Sequence, residues 1–408
     1  MVDILLTGDK MDKILSERKL SLKNVKNIDI ELGKYLSENL NEKIKKLKAI
    51  PCSCGLGTVY DSIERLTELS NFVCLWIPHC DLINVRESAK LSKMGLTSDI
   101  LKNNPKIIGF LSAYYAKILG CSDDICNAIE ELYEKEPKTN VAKAIFIAKK
   151  MDDITAFFIA KNKKSLKEFN LIKKNALTII RLILDNNIDI KLNILIHKSI
   201  SLFKTSSYKK NRNSKISIKQ QILKIENEII RLFKECFVDY TNTFGYSKKI
   251  INSVVEFDNK KITKKFDNLN VLCKKIACLN DFVKNDKKKF LTIKQTYKNL
   301  SEKLLNFETG KIKFLIKNIL SKKYFKSSEL KVFSKKIKEI KKEIKKENEN
   351  ENYKKCLELL YELNSVLKEY FDCKCLKGKN QKLSGNNLFL LYKVKSIFDS
   401  FVNFSFLV

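Results

Sequence analysis

Apolar residues recur at three- and four-residue spacing along most of the chain, the period of an α-helix with one buried stripe. Asp61-Ser-Ile-Glu-Arg-Leu-Thr-Glu-Leu carries Ile63, Leu66 and Leu69 on one face, and Ala142 to Phe158 repeats the pattern. Both predict helices whose apolar faces meet in one core. In Ala176-Leu-Thr-Ile-Ile-Arg-Leu-Ile-Leu apolar residues occupy nearly every side, which predicts a buried helix. Ser328-Glu-Leu-Lys resembles a helix start, and Leu330, Phe333, Ile337, Ile340 and Ile344 then form a narrow seam flanked by lysines. After the polar stretch Asn348-Glu-Asn-Glu-Asn, Tyr353 to Phe371 carries a broader apolar face. The pair is expected to fold back as an antiparallel hairpin. A long coiled-coil rod is the competing reading, and the abrupt turn disfavours it.

Only 11 Gly and 4 Pro punctuate 408 residues, too few for the tight turns of a sandwich, a barrel or a doubly wound sheet. The expected fold class is therefore all-α. Residues 1–50 read as a connecting helical segment that ends in a basic amphipathic stretch from Lys43 to Ile50, with Pro51 as the stop. Residues 51–165 read as a compact helical domain, 166–215 as a helical connector and basic linker, and 216–408 as a second helical domain. The linker assignment rests on Lys204 to Lys215, which has almost nothing apolar to bury. No repeat of fixed period is present.

Lys plus Arg total 79 against 47 Asp plus Glu, a formal charge of +32. Such an excess points to a polyanionic partner, because neutralising phosphates releases counterions. A genome rich in A and T would produce the same surplus of Lys, Asn and Ile, so charge alone does not decide. The 12 cysteines are scattered behind no secretory leader and read as reduced thiols. With two histidines, His79 and His197, and distant CxC pairs at Cys52/Cys54 and Cys373/Cys375, no zinc-ligand spacing appears. No apolar run reaches the roughly 18 residues of a membrane span. His79-Cys-Asp81 contains the residue types of a metal-dependent phosphohydrolase, yet two histidines cannot complete such a site. Gly55-Leu-Gly57 is too short to be a phosphate loop, and no catalytic constellation emerges. More informative are the segments where cations adjoin rings: Lys294-Gln-Thr-Tyr297-Lys298, Tyr324-Phe-Lys326 and Tyr392-Lys393-Val-Lys395. That pairing grips phosphate while a ring stacks on an unpaired base. Lys248 and Lys249 complete the set of candidate RNA contacts.

Leu56-Gly57-Thr58 with Tyr60-Asp61 and Glu64-Arg65 opens an order of motifs that resembles the beta subunit of heterotetrameric bacterial glycyl-tRNA synthetase, and is similar to that family's LGTxxDKxER element. Leu91-Ser-Lys93, Pro105-Lys-Ile-Ile-Gly109 and Ala113-Tyr-Tyr-Ala116 follow in family order, then Ala148-Lys-Lys-Met-Asp152 and Lys173 to Arg181. Gly245-Tyr246, Ile250-Ile251, Tyr297-Lys298, Tyr370-Phe-Asp372 and Asn386 with Phe404-Ser405 and Leu407 resemble its carboxy-terminal anticodon-binding region. The departures are specific. Gly95 and Lys149 stand where the family carries Asp, and Cys236, Ser384 and Asn387 stand where it tends to carry Arg.

The resemblance implies a degenerate HD-like helical domain, then a linker and a DALR-like anticodon-binding helical domain. It also implies a non-catalytic, cytoplasmic subunit that holds tRNA(Gly). ATP and Mg, with the bond-making, would belong to an alpha-subunit partner, and this chain would hold no cofactor or metal and touch no membrane. Family members carry an amino-terminal portion that this chain lacks, so a separate amino-terminal beta fragment is a further partner to test. Two other readings remain open: a stand-alone HD-type phosphohydrolase and a basic helical scaffold with no role in aminoacylation.

Overall fold

The structure is a computed structural model describing residues 28–52, 55–102, 104–160, 165–204, 217–255, 266–305, 328–372 and 385–408. Among these residues the chain is all-α, and the isolated bridge Pro51–Thr58 is the sole β pairing. The helices are α1 (Ile28–Ser37), α2 (Leu40–Ala49), α3 (Val59–Cys74), α4 (Leu82–Leu91), α5 (Ile108–Ile118), α6 (Asp123–Glu131), α7 (Asn140–Ile159), α8 (Leu166–Asp185) and α9 (Leu192–Ser201). They continue as α10 (Ile218–Asn242), α11 (Lys248–Val255), α12 (Leu269–Asn285), α13 (Lys287–Leu305), α14 (Ser328–Glu349), α15 (Tyr353–Asp372) and α16 (Gly385–Phe401). Short 3-10 turns cover Met94–Thr97, Asp99–Lys102, Pro105–Ile107 and Phe404–Phe406. Two compact units result, residues 1–236 with 267–269, and residues 237–266 with 270–408. The division falls inside α10, whereas the sequence placed a boundary between Lys204 and Lys215, most of which lies outside the described residues.

In the first unit α7 is the central element, packed against α3, α4, α6, α8 and α9. Its Ile145, Ile147, Ala148, Met151 and Ile154 are completely buried, which explains why the apolar residues of this segment spread beyond one stripe. Local chemistry sets where the helices begin. Asn39–Glu42, Thr58–Asp61 and Ser165–Glu168 form reciprocal capping boxes at the starts of α2, α3 and α8. From Ile28 onward, the stretch read as a connecting segment supplies two helices whose Leu32, Tyr35, Leu36 and Leu47 join the core with Ile63, Met94 and Leu111. The helix read as buried is α8; it covers Ala176, Ile179, Ile180 and Ile183, while Arg181 pairs with Glu136 at its exposed edge.

In the second unit α14 and α15 pack as the hairpin that their spacing predicts. Glu351 turns the chain with φ 56, and the Phe333 and Tyr370 rings stack at 4.1 Å, as expected for antiparallel neighbours. Helix α13 packs on α15 and α16, and the carboxy-terminal 3-10 turn docks on α11 through Asn403 N–H to the Ser253 carbonyl at 2.8 Å.

Candidate nucleic-acid interface

The polar motifs of the first unit converge, and each has a structural partner. Gly57 adopts φ +87, and a Cβ there would lie 2.7 Å from Asp61 Oδ2, so this tight loop before α3 favours glycine. Asp61 accepts from the Thr58 backbone and hydroxyl at 2.8 Å and from Lys204 Nζ at 2.6 Å. The Lys204 bond, followed by the Thr58 bonds, lowers its carboxyl to about 2. One turn further, Arg65 reaches inward to Asp152 of α7 in a two-pronged bond, Nε to Oδ1 at 2.9 Å and Nη2 to Oδ2 at 3.1 Å. The Phe203 ring lies 4.2 Å from that guanidinium. Lys93 donates to Ser62 Oγ at 2.8 Å beside the pair, and burial lowers its pKa while Asp152 opposes the shift. Ser62, Arg65, Lys93 and Asp152 thus meet in one ionic cluster, with Asp61 and the largely exposed Lys204 at its rim.

Gly95 has no room for the Asp found in the resembling family, because a Cβ would meet the Ile108 carbonyl at 2.9 Å. Lys149, at the other such position, pairs with Asp153 at 3.4 Å. His79 sits exposed in a turn with φ 54, and Asp81 caps α4 by accepting from Asn84 N–H at 2.7 Å. His197 is exposed, with Nδ1 2.9 Å from Glu226 Oε1. Among the described residues no three His, Cys, Asp or Glu side chains come together to hold a metal ion, and no helix is long and apolar enough to cross a membrane.

The candidate RNA contacts belong to the second unit, and the structure separates them sharply. Tyr297 is a correction to the sequence reading: its ring is buried against Phe398 and Phe404 at 6.0 and 5.6 Å, and its hydroxyl donates to Asp399 Oδ1 at 3.0 Å. The cause is helical phase. Tyr297 shares the inward face of α13 with Ile293, Leu300 and Leu304, so its ring is unavailable to a base. Its neighbour Lys298 is exposed, 3.9 Å from Glu302, and Lys294 is half-buried. Lys395 lies over the Tyr297 ring at 5.5 Å and 3.7 Å from Asp399, which ties it to the same core edge. Lys393 differs. It stands on α16, which packs on α14, and burial followed by the like charges of Lys338 and Lys341 lowers its pKa. Three ammonium groups from two helices therefore share one field, beside the exposed ring of Tyr392. Lys248 and Lys249 are exposed at the start of α11. Lys326 lies outside the described residues, as does Ser384. Cys236 is buried, its thiol donating to the Lys173 carbonyl at 3.8 Å.

Sequence spacing missed two features. Lys338 and Lys341 read as solvated flanks of a seam, and only the packing of α14 on α16 brings them to Lys393. Phe244, which the sequence reading did not single out, is exposed between Tyr240 and Tyr246; its signal was the adjoining Gly245-Tyr246 turn.

These features define a basic, all-helical protein with an ionic cluster in one unit and lysine-rich, ring-bearing surfaces in the other. The family model described as glycyl-tRNA synthetase beta subunit matches residues 34–256, more than half of the chain. The chain belongs to that family. Among curated relatives, the glycine–tRNA ligase beta subunit of Rickettsia africae is 27% identical over 377 residues, covering 91% of this chain and 51% of the relative. The counterpart from a Sulfurihydrogenibium species is 24% identical over 380 residues, with 91% and 50% covered. The one from a Thermotoga species is 27% identical over 383 residues, with 92% and 51% covered. The chain thus spans about half the length of the curated relatives it matches.

Proposed function

We propose that this chain is the tRNA-handling part of a glycine–tRNA ligase, binding tRNA(Gly) and presenting its acceptor end to an alpha-subunit partner that makes the ester bond with ATP and Mg. Family membership supports the ligase role. The observation that carries the tRNA part is the packing of α16 on α14, which brings Lys393, half-buried, into the field of the exposed Lys338 and Lys341. Like charges held together disfavour the free state and are relieved by phosphate, so the arrangement gains most from a polyanion. Catalysis would then come from proximity: a tRNA fixed at a distance presents its reactive end in the right place more often.

The decisive measurement mixes the full chain with an alpha subunit and tRNA(Gly), with and without an amino-terminal beta fragment, and follows glycine attachment. Charging that depends on this chain supports the reading; charging indifferent to it refutes the reading. Binding supplies a second test. The triple substitution K338E/K341E/K393E should weaken tRNA binding across sequences and reduce the slope of log affinity against log salt by about 2 to 3.

A further inference from the structure

Helix α10 ends at Asn242, and the chain leaves it through a run of turns: Thr243 N–H to the Tyr240 carbonyl, Phe244 N–H to that of Thr241 and Gly245 N–H to that of Asn242. Gly245 takes φ +78, a left-handed conformation in which a side chain would be strained. The consequence is the placement of Phe244. It is 49% exposed, with Tyr240 edge-on at 5.1 Å and 76° on one side and Tyr246 at 6.1 Å and 64° on the other. One exposed Phe needs no explanation. Two tyrosine rings, each edge-on to a Phe244 ring that is half in water, leave a supported aromatic surface open.

The charges beside it are asymmetric. Lys248 and Lys249 open α11 four and five residues further along the chain, both exposed, and no carboxylate among the described residues lies within ion-pair distance of either. On the other side, Asp281 of α12 lies within electrostatic reach of the Tyr246 hydroxyl, whose pKa is raised chiefly by burial. Asp239 is exposed just before Tyr240. A ligand with a flat apolar body and an anionic backbone therefore fits one way round, body on Phe244 and anion toward the lysines. Nucleotides have that composition, and only an unpaired base can offer its face.

We infer that Phe244, braced by Tyr240 and Tyr246 and flanked by Lys248 and Lys249, is a stacking platform for one unpaired base of a single-stranded RNA segment. The inference rests on the RNA-binding reading above and deepens it, adding a subsite away from the Lys338–Lys341–Lys393 junction.

The test uses the full chain, a short single-stranded RNA with a central 2-aminopurine, and the matching blunt duplex. Stacking quenches 2-aminopurine, so binding of the single strand should be accompanied by loss of fluorescence. Phe244→Ala should lose the quench and bind the single strand about tenfold more weakly while leaving duplex binding unchanged. Phe244→Trp should keep both signals. Phe244→Leu preserves apolar bulk without a π-face and should behave as the alanine variant; wild-type behaviour from it would mean that Phe244 merely packs, against RNA or against an aliphatic protein side chain, and would overturn the proposal. Unquenched binding by the wild type would overturn it as well. In either case a steep salt dependence of tRNA binding would leave the broader reading standing, whereas failure to bind either RNA at low salt would remove both.

Discussion

Lys43→Met is expected to erase a pH dependence from the folding of the first unit. The Lys43 side chain is fully buried; its ammonium donates to the Tyr35 carbonyl at 2.6 Å and the Thr97 hydroxyl at 3.3 Å. It lies 3.5 Å from the centre of the Tyr35 ring and 4.4 Å from that of Tyr115, with Glu38 Oε2 at 3.7 Å. Burial outweighs these contacts and lowers the pKa from 10.5 to about 8; Glu38 and Glu42 pull it upward and Lys46 pushes it down. At roughly 1.4 kcal/mol per pH unit that difference is worth about 3 kcal/mol, and about 2 kcal/mol once residual screening by solvent is allowed for.

An amine whose folded pKa lies below its unfolded value disfavours folding while it is charged. The burden is complete below about pH 8 and is relieved as pH rises toward 10.5, because the unfolded chain then binds more protons than the folded one. Burial raises both tyrosine pKa values, so neither ring ionises early in that window. Methionine keeps the unbranched apolar stem and does not titrate. Urea unfolding of both proteins at about pH 7 and about pH 10 gives the answer, since the other groups titrate in both and cancel in the difference. Wild type should gain about 2 kcal/mol on the variant between the two conditions. A flat difference would show that the aromatic cage holds the cation throughout and would refute the assignment of burial as the dominant effect.

Asp152→Ala should destabilise the first unit by about 3 to 5 kcal/mol, because it strands the buried Arg65 guanidinium; chemical denaturation measures this, and a loss below 1 kcal/mol would mean that water already reaches the pair. Gly57→Ala should lower stability by about 1 to 3 kcal/mol through strain at positive φ and collision with Asp61, read as a fall in melting temperature. Asp61 holds its carboxyl near 2, so its cap contributes at neutral pH and is lost as pH falls from about 4 toward 2; the acid limb of the stability curve should flatten in Asp61→Ala, at a cost of about 1 kcal/mol at pH 7.

Local patterning determined the class of structure. Helical spacing, few Gly and Pro, and sidechain–backbone capping pairs three residues apart are properties of neighbours in sequence, which is why α3, α7, α8 and the α14–α15 hairpin were legible without coordinates. The order of motifs likewise carried the family resemblance. What the sequence left open depends on phase and on distant partners. Tyr297 and Lys298 are adjacent, yet a step of one residue along a helix turns a side chain by about 100°, which puts the first in the core and the second in water. Arg65 finds Asp152 across 87 positions, and Lys393 meets Lys338 and Lys341 only because α16 packs on α14. Composition established that the chain carries excess positive charge; the tertiary fold alone decided which cations are locked to internal carboxylates and which are crowded together at the surface, because Coulomb energy depends on distance in space and not on separation along the chain.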